Sequence, residues 1–394
     1  MRRRFSKNIY LLGLLSLFND VTGDMITPLL PAYLATLGMG AGFLGVMEGL
    51  ANSLSNITML FAGWLADRSR KNRSLTIGGY AVSQVSRFFL AIPIPGVVMA
   101  ARIFDRIGKG VHTAPRDRII TDSADKARWG QAFGVQRSMD HAGGLIGPPI
   151  AAWLISAYAI GYPHLFLFAC VPSIVALVFI APAIRERDGH AQEVAVEAPP
   201  KLSWRALPKP MKIYIAVVFV SALSTPSELF LILKMQKLGL LPFQIPLAWF
   251  LMTLFTMIAA SLGGVLSDRW SRRRTMGIGW ILFALVYLGF AWNRDLHWSW
   301  LLIAAYGFHT GLVEPAERAY PALVASESAR ATVLGWYYFA YGMGLLPASL
   351  IFGVLWDRVG PRPAFLLNAA LTTLAVAGLF FLPSDRKMNR LGEG

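Results

Sequence analysis

The chain is poor in charge for its length. Of its 394 residues, 15% are Asp, Glu, Lys or Arg and 55% are hydrophobic, whereas a soluble domain carries about 25% charged residues. Apolar stretches of about 20 residues, the length that crosses roughly 30 Å of hydrocarbon, recur along the whole chain. Lipid is therefore the expected solvent for most of the protein.

Cysteine is almost absent, since Cys170 stands alone. This excludes an internal disulfide and a cysteine-based metal cluster. No His or carboxylate spacing is typical of a metal site, and no glycine-rich loop of the Walker type predicts ATP binding. The basic clusters at 70–71 and 272–274 lack the architecture of a nucleic-acid site. We therefore expect no enzyme activity, cofactor, metal or nucleic-acid partner.

The apolar stretches predict an all-α membrane protein with twelve helices. Each span must be helical, because a strand that faces lipid leaves its amides without partners. The first span follows a basic N-terminus but has no small-residue cleavage pattern, so we interpret it as a retained helix. The predicted spans are 8–36, 42–66, 74–94, 96–115, 130–158, 164–183, 212–234, 243–267, 275–293, 298–316, 330–356 and 363–383.

Lys and Arg are distributed unevenly between the predicted loops. Of the 37, loops on the side of the N-terminus hold 27, the opposite loops hold 5 and the helices hold 5. Because basic residues are retained in the cytoplasm, both termini are predicted to be cytoplasmic, in a bacterial inner membrane. The same bias accounts for the net charge of +15.

The two halves of the chain repeat each other with an offset near 200 residues. We therefore predict an N-terminal six-helix bundle at 1–184, a polar linker at 185–211 and a C-terminal six-helix bundle at 212–394. Parallel repeats of this kind hold the substrate near the midplane of the membrane, between the repeats. The repeated residues are Pro115, Asp117 and Arg118 with Pro315, Glu317 and Arg318, and Gly134 and Gly143 with Gly335 and Gly344.

A loop motif, Gly-x-x-x-Asp-Arg, occurs at 63–68 and again at 264–269. It resembles the loop between helices 2 and 3 of the major facilitator superfamily, whose members are twelve-helix transporters, and the likeness covers essentially the whole chain. Arg70 replaces the second glycine that the family usually has. The resemblance implies that the aspartate caps a neighbouring helix and that these are gating residues: Gly63, Asp67, Arg68, Gly264, Asp268 and Arg269. We expect a gating charge cluster, paired with the basic loops, at Glu314, Glu317 and Arg318.

Helices 4 and 5 carry further motifs of that family. In helix 4, Arg102 and Gly108 match its Arg-x-x-Gln-Gly-x-Gly motif, while Asp105 and Arg106 replace an uncharged pair. The resemblance implies proton transfer or charge pairing by Arg102. Helix 5 is similar to the antiporter signature of the family, with Ala151-Ala152 in place of its closing glycines, and this implies a hinge. A face for close helix packing would carry the same glycines. The residues concerned are Gly134, Gly143, Gly147 and Pro148.

Ionisable residues inside a membrane mark a pathway, a proton relay or an internal pair. Asp105 can pair with Arg102, and Asp140 with Arg137, because each pair is three residues apart on one helix. The complete set in the N-terminal half is Asp20, Asp24, Glu48, Asp105 and Asp140, against Arg87, Arg102, Arg106, Lys109 and Arg137.

Asp20 and Asp24 share one face of helix 1, about 6 Å apart. Two carboxylates so close together in a low dielectric repel each other, so one of them can exchange a proton near neutral pH. By depth in the membrane, Asp20 lies near Arg106 and Asp24 near Arg102. Two static ion pairs between helices 1 and 4 are the alternative interpretation.

The C-terminal half offers fewer charges. Glu228 follows Ser-Thr-Pro-Ser at 224–227, a composition typical of a broken helix beside a cavity. His309 lies near the middle of helix 10, where a lone His is more often a hydrogen-bonded packing residue than a proton relay.

These features favour a monomeric secondary transporter that exports a small organic solute or drug by alternating access, with the proton gradient as its energy source. Uptake of a small organic anion or zwitterion is an alternative, for which Arg102, Arg106 and Arg137 would bind carboxylate or phosphate. A membrane sensor or scaffold without transport is an alternative of another class. The paired gating loops and the charges of the N-terminal half argue against it.

The topology can be tested with a reporter that is active only in the cytoplasm. Fused after residue 200, it is expected to be active, because that position follows six predicted spans from a cytoplasmic N-terminus. Fused after residue 238, on the opposite side, it should be inactive. Activity only at residue 238 would reverse the predicted orientation.

Overall fold

The computed structural model describes residues 6–69, 71–124, 129–185, 207, 209–322 and 330–383, and these ranges contain helices and no strand. The predicted linker lies almost entirely outside them. The α-helices are α1 (Lys7–Ile26), α2 (Leu30–Thr36), α3 (Ala41–Ser69), α4 (Asn72–Phe89), α5 (Pro95–Asp122), α6 (Trp129–Tyr158), α7 (Tyr162–Val175), α8 (Lys209–Leu223), α9 (Leu229–Lys237), α10 (Gln244–Arg269), α11 (Arg272–Trp292), α12 (Leu296–Ala322), α13 (Arg330–Arg358) and α14 (Pro361–Leu379).

The predicted all-α membrane fold is confirmed. Among the described residues, six helical segments are long and apolar enough to cross a membrane by length and composition alone. They are Lys7–Thr36, Tyr162–Ala183, Gln244–Ser267, Arg272–Trp292, Trp336–Arg358 and Pro361–Leu379. The remaining predicted spans are also largely helical. Span 7 is divided into two shorter helices, and spans 3 and 4 carry more polar residues.

Spans 1 and 7 are interrupted at matching places. A 3₁₀ turn at Thr27–Leu29 separates α1 from α2, and the non-helical residues 224–228 separate α8 from α9. Pro28 and Pro226, which are 198 residues apart, lie at these breaks, and proline has no N–H with which to continue a helix. The composition at 224–227 predicts the second break, whereas the first is not foreseen.

Helix α5 is longer than predicted. The apolar stretch predicts that span 4 ends at residue 115 and that 116–128 form a loop, but α5 continues to Asp122. The prediction is wrong because Arg116 does not face water: it is 8% exposed and bonds to other helices. Because the Arg116 side chain is buried against other helices, the α-helix extends beyond the end of the apolar stretch.

The chain forms two compact units. One comprises Met1–Met39, Leu50–Ala191 and Leu240–Phe250, and the other comprises Gly40–Gly49, Gln192–Gly239 and Leu251–Gly394. In the first, α1 packs on α6 and α7, and α4 packs on α5. In the second, α8 packs on α13, and α11 packs on α12 and α14. The pairs α1–α6 and α4–α5 of the first unit thus correspond to the pairs α8–α13 and α11–α12 of the second, which matches the internal repeat of the sequence.

In the second unit, a side chain of α13 caps the first turn of α3. Asp357 accepts hydrogen bonds from the backbone N–H groups of Ala41 (3.0 Å) and Gly42 (2.6 Å). Such N–H groups have no partner within their own helix, and the positive end of the helix dipole favours a carboxylate there. The cap therefore fastens the start of α3 to α13.

Two glycines of α6 let it touch the backbone of α1. A Cβ at Gly143 would overlap the carbonyl oxygen of Leu17, and one at Gly147 would lie 2.5 Å from the carbonyl oxygen of Val21. Gly134 faces open space. In this structure Gly143 and Gly147 therefore serve close helix packing, one of the two roles that the sequence allows.

We expect Gly143→Ala to lower the free energy of unfolding by about 1–3 kcal/mol, because the added methyl group meets backbone that cannot move aside. Gly134→Ala is the matched control and should be neutral or stabilising by up to about 1 kcal/mol, since alanine favours the helix. Thermal unfolding of both purified variants in the same detergent gives the comparison. Equal behaviour would contradict the packing role.

Candidate functional site

Polar side chains line one face each of α4 and α5. They recur every three or four residues, which keeps them on the same side of a helix. On α4 the buried members are Tyr80, Ser83, Gln84 and Arg87, and on α5 they are Arg102, Asp105, His112 and Arg116. The two helices pack closely because Gly108 has no side chain: a Cβ there would lie 2.6 Å from the backbone nitrogen of Ser83.

Asp105 lies between two arginines. Its Oδ1 accepts from Nε of Arg87 at 2.9 Å, and its Oδ2 lies 3.4 Å from Nη1 of Arg102. The predicted pair of Arg102 and Asp105 is confirmed. Each arginine also bonds to helix 1: Nη1 of Arg87 donates to both oxygens of Asn19, and Nη1 of Arg102 donates to Oγ1 of Thr27 (3.2 Å). All three ionic side chains are almost completely buried.

A second cluster surrounds Arg116. Its guanidinium pairs with Asp117 at 3.0 Å, lies 3.9 Å from Asp140 and donates to Oγ of Ser16 at 3.1 Å. Gln136 donates to both carboxylate oxygens of Asp140, at 2.7 and 2.6 Å. This cluster ties α1, α5 and α6 together.

The partners of Asp140 differ from the predicted Arg137, whose side chain is exposed. Arg137 lies one residue past Gln136, and so about 100° further around the helix. Sequence reasoning missed Arg116 because it lies in the predicted loop. It missed Gln136 because one uncharged polar residue in a helix gives no signal; the four-residue spacing from Gln136 to Asp140 was the available clue.

Asp20 and Asp24 have a different environment. Asp20 accepts a hydrogen bond from Nδ2 of Asn19 (3.2 Å), and Asp24 accepts one from Nε1 of Trp249 (3.3 Å). Both are partly exposed, and among the described residues no base lies within 4.0 Å of either carboxylate. The alternative of two static ion pairs is therefore not found here. Arg102, the partner that depth suggests for Asp24, bonds to Asp105 and Thr27 instead.

Nearby charges nevertheless act on the two aspartates. Lys109, which is exposed, is the positive charge that acts most strongly on both. Asp140 is the negative charge that acts most strongly on Asp20. Asp20 and Asp24 thus have both positive and negative charges in their surroundings, but neither has a close ion pair of the kind that holds Asp105.

A groove of about 650 Å³ between α4 and α5 lies on their other face. Its walls are apolar and outward-facing, with Val85 and Phe104 each 55% exposed. Such a surface suits lipid chains, and none of the charged residues described above lines it.

The family model described as Major Facilitator Superfamily matches residues 12–257 and 213–393, nearly the whole chain. The chain belongs to this superfamily. It is therefore a multi-pass membrane transporter, and the resemblance carried by its motifs is confirmed.

Relatives and solved structures agree with this assignment. The transporter is 33% identical to an MFS-type transporter of Methanocaldococcus jannaschii, over 96% of each chain. It is 25% identical to the fosmidomycin resistance protein of Escherichia coli, over 95% and 92%, and 24% identical to the quinolone resistance protein NorA of Staphylococcus aureus, over 84% and 86%. The nucleoside transporter NupG shares its fold, with a TM-score of 0.75 at 14% identity over 95% and 100% of the two chains.

In the second unit of the transporter, Glu228 lies at the break between α8 and α9 and is partly buried. His309 is 8% exposed, and its Nδ1 lies 2.7 Å from the carbonyl oxygen of Gly279. A carbonyl oxygen only accepts, so Nδ1 carries a proton. His309 also packs edge-on against Phe283, which suits a hydrogen-bonded packing residue.

Among the predicted gating residues, Glu317 has aromatic partners. Its carboxylate accepts from Nε1 of Trp280 (2.9 Å) and from the hydroxyl of Tyr337 (3.2 Å), and it is 8% exposed. Both donors lie on helices, Trp280 on α11 and Tyr337 on α13, whereas the predicted partners of Glu317 lie in the basic loops. The backbone of Gly63 and Gly264 is helical, Arg269 is exposed and Glu314 is partly buried. The side chains of Asp67, Arg68, Asp268 and Arg318 lie outside the described part of the chain.

Asp105→Asn is expected to destabilise the transporter by about 3–5 kcal/mol, because it leaves the buried charges of Arg87 and Arg102 without a counter-ion. Asp122→Asn is the control: Asp122 pairs with Arg118 at 3.4 Å on an exposed surface, and its loss should cost less than about 1 kcal/mol. Thermal unfolding in detergent would compare them. A change at Asp105 no larger than at Asp122 would show that Asp105 is not the centre of the buried cluster.

Proposed function

We propose that this transporter exports a small organic solute or drug by alternating access, driven by protons that bind at Asp20 and Asp24. The observation that carries the proposal is a contrast between carboxylates. Asp105 and Asp140 each have an arginine within 4.0 Å, whereas Asp20 and Asp24 accept hydrogen bonds from neutral donors only.

The contrast matters because protonation neutralises a paired carboxylate and leaves its arginine without a counter-ion. Breaking a buried ion pair costs several kcal/mol, which suits a structural centre rather than a proton carrier. Asp20 and Asp24 are partly exposed, so a proton can reach them without that loss. Lys109 acts on both as a countercharge when they are ionised.

Several further points are part of the proposal. Export is favoured by the two relatives that are resistance proteins for fosmidomycin and quinolones, since removal of an antibiotic from the cell would confer resistance. The distribution of Lys and Arg supports a bacterial inner membrane with both termini in the cytoplasm. We take the monomer as the working unit and the proton gradient as the energy source.

Lys109 also favours a second candidate function, uptake of a small organic anion or zwitterion. An exposed ammonium group in the middle of a membrane helix is a suitable contact for a carboxylate or phosphate. The content of substrate in cells distinguishes the two directions: deletion of an exporter raises it, whereas deletion of an uptake carrier lowers it.

The substrate can be sought by a thermal-shift screen of the purified transporter. The panel should include fosmidomycin, quinolones, nucleosides and short peptides, together with other metabolites, because proteins of similar sequence or fold act on or resist these compounds. A ligand at 100 times its Kd stabilises the folded state by about 2.7 kcal/mol, which gives a clear shift.

With a substrate in hand, Asp20→Asn and Asp24→Asn test proton coupling. In proteoliposomes, each is expected to abolish flux driven by a pH gradient while substrate–substrate exchange continues, because alternation itself does not require release of a proton. Both fluxes should be measured on the same purified variant.

Asp295→Asn is the control, since Asp295 is an exposed loop acid that bonds to His297. It should leave both fluxes unchanged. If Asp20→Asn and Asp24→Asn lose exchange, gradient-driven flux and thermal stability together, the two aspartates are structural and the coupling proposal fails.

A further inference from the structure

The bases that are predicted to lie on the side opposite the termini all belong to the C-terminal half. On that side, the connections of the N-terminal half at 37–41, 90–95 and 159–163 contain no Asp, Glu, Lys or Arg. Basic residues are normally retained on the cytoplasmic side, so this group is an exception to the bias that orients the chain. We call its five members the outer basic surface: Lys234, Lys237, Arg294, Arg358 and Arg362.

The two acids of the same helix ends do not neutralise these bases. The carboxylate of Asp357 accepts hydrogen bonds from the backbone N–H groups of Ala41 and Gly42. Oδ1 of Asp295 accepts from the backbone N–H of His297 at 2.8 Å and lies 2.9 Å from Nδ1 of its ring. Among the described residues, no carboxylate lies within 4.0 Å of any base of the outer basic surface. The positive charge there is therefore uncompensated.

Helix dipoles do not account for the whole surface either. The C-terminal ends of α9 and α13, at Lys237 and Arg358, favour a cation but carry only about half an elementary charge each. Arg294 lies beyond the end of α11, in the connection to α12. Arg362 lies in the first turn of α14, where the positive end of the dipole disfavours a base. An external anion would stabilise both of these arginines.

Tryptophan rings accompany two of the bases. Cζ of Arg362 lies 5.3 Å from the ring centre of Trp292, and Nζ of Lys237 lies 5.1 Å from that of Trp356. Such contacts hold a cation in place without neutralising it. Trp292 and Trp298 are 54% and 63% exposed, and Trp is enriched at the level of the lipid headgroups. The outer basic surface therefore lies at headgroup depth.

We propose that the outer basic surface binds the phosphate groups of anionic phospholipids. Its bases are spread along one boundary of the membrane, over the ends of α9 and α13, the start of α14 and the connection between α11 and α12. Several headgroups in a plane fit this arrangement better than a single soluble anion does. The guanidinium groups of Arg358 and Arg362, both exposed, can each donate two N–H groups to one phosphate. The proposal does not depend on transport or on Asp20 and Asp24.

The single native cysteine permits a local measurement. Cys170 is completely buried, so Val359→Cys supplies the accessible thiol for a fluorescent maleimide, at a position that is 63% exposed beside Arg358. The labelled transporter is placed in nanodiscs of phosphatidylcholine with a small fraction of spin-labelled lipid, which quenches nearby fluorophores. The quencher lipid has either a phosphatidylglycerol or a phosphatidylcholine headgroup on the same chains. Quenching by the phosphatidylglycerol form should indicate a local concentration about threefold higher at low ionic strength.

Variants then assign the enrichment to the surface. Arg362→Gln should lower the ratio of the two quenchers about twofold, whereas Arg362→Lys, which keeps the charge, should retain it. Arg274→Gln is the matched control, because Arg274 is an exposed arginine in the first turn of α11, at the opposite end of that helix from Trp292. It should leave the ratio unchanged. Equal quenching by the two lipids, or an equal effect of Arg362→Gln and Arg274→Gln, would overturn the proposal.

A last comparison separates lipid from a soluble phosphate. Glycerol phosphate has the phosphate of the headgroup but no acyl chains. It should lower the ratio no more than sodium chloride of the same ionic strength does, since both then act by screening alone. If glycerol phosphate removes the enrichment and sodium chloride does not, the surface binds a soluble phosphate and the assignment to lipid is wrong.

Discussion

The ion pairs of Asp105 with Arg87 and Arg102 hold the polar interior of the N-terminal half together. Three almost completely buried charges meet at one point, and each arginine continues to helix 1, through Asn19 or Thr27. In a membrane none of these groups can turn to water, so each depends on the others. Because this centre fixes α4 and α5 against α1, Asp20 and Asp24 of α1 are held at a defined depth without needing arginines of their own.

The two halves use one helix arrangement for different chemistry. Residues at equivalent places, 200 or 201 positions apart, are Tyr80 and Trp280, Gln136 and Tyr337, and Asp140 and Tyr341. In the first half this region contains Arg116 bound to acids and hydroxyls. In the second half, Trp280 and Tyr337 bond to one acid, Glu317. The two halves thus share the same helix pairs, but this region is ionic in the N-terminal half and aromatic in the C-terminal half.

The sequence predicts what depends on length and local spacing. Apolar lengths give the spans, a three-residue spacing gives the pair of Arg102 and Asp105, and the composition at 224–227 gives the break in span 7. It does not predict what depends on packing between distant helices. Arg87 reaches Asp105 only because α4 lies against α5, and Trp249 reaches Asp24 from 225 residues away. The contacts of Arg116 with Ser16 of α1 and Asp140 of α6 could not be predicted for the same reason.

Both halves place a carboxylate beside a break in their first span. Asp24 lies one turn before the 3₁₀ segment at Thr27–Leu29, and Glu228 closes the break at 224–228. A broken helix frees backbone groups that lipid cannot satisfy, and side chains take them up: Asn368 donates to the carbonyl oxygen of Ser224 at 2.9 Å. Such polar breaks are tolerated only where protein or a water-filled cavity surrounds them. The same constraint that makes the breaks costly therefore places these two carboxylates beside backbone groups that need polar surroundings.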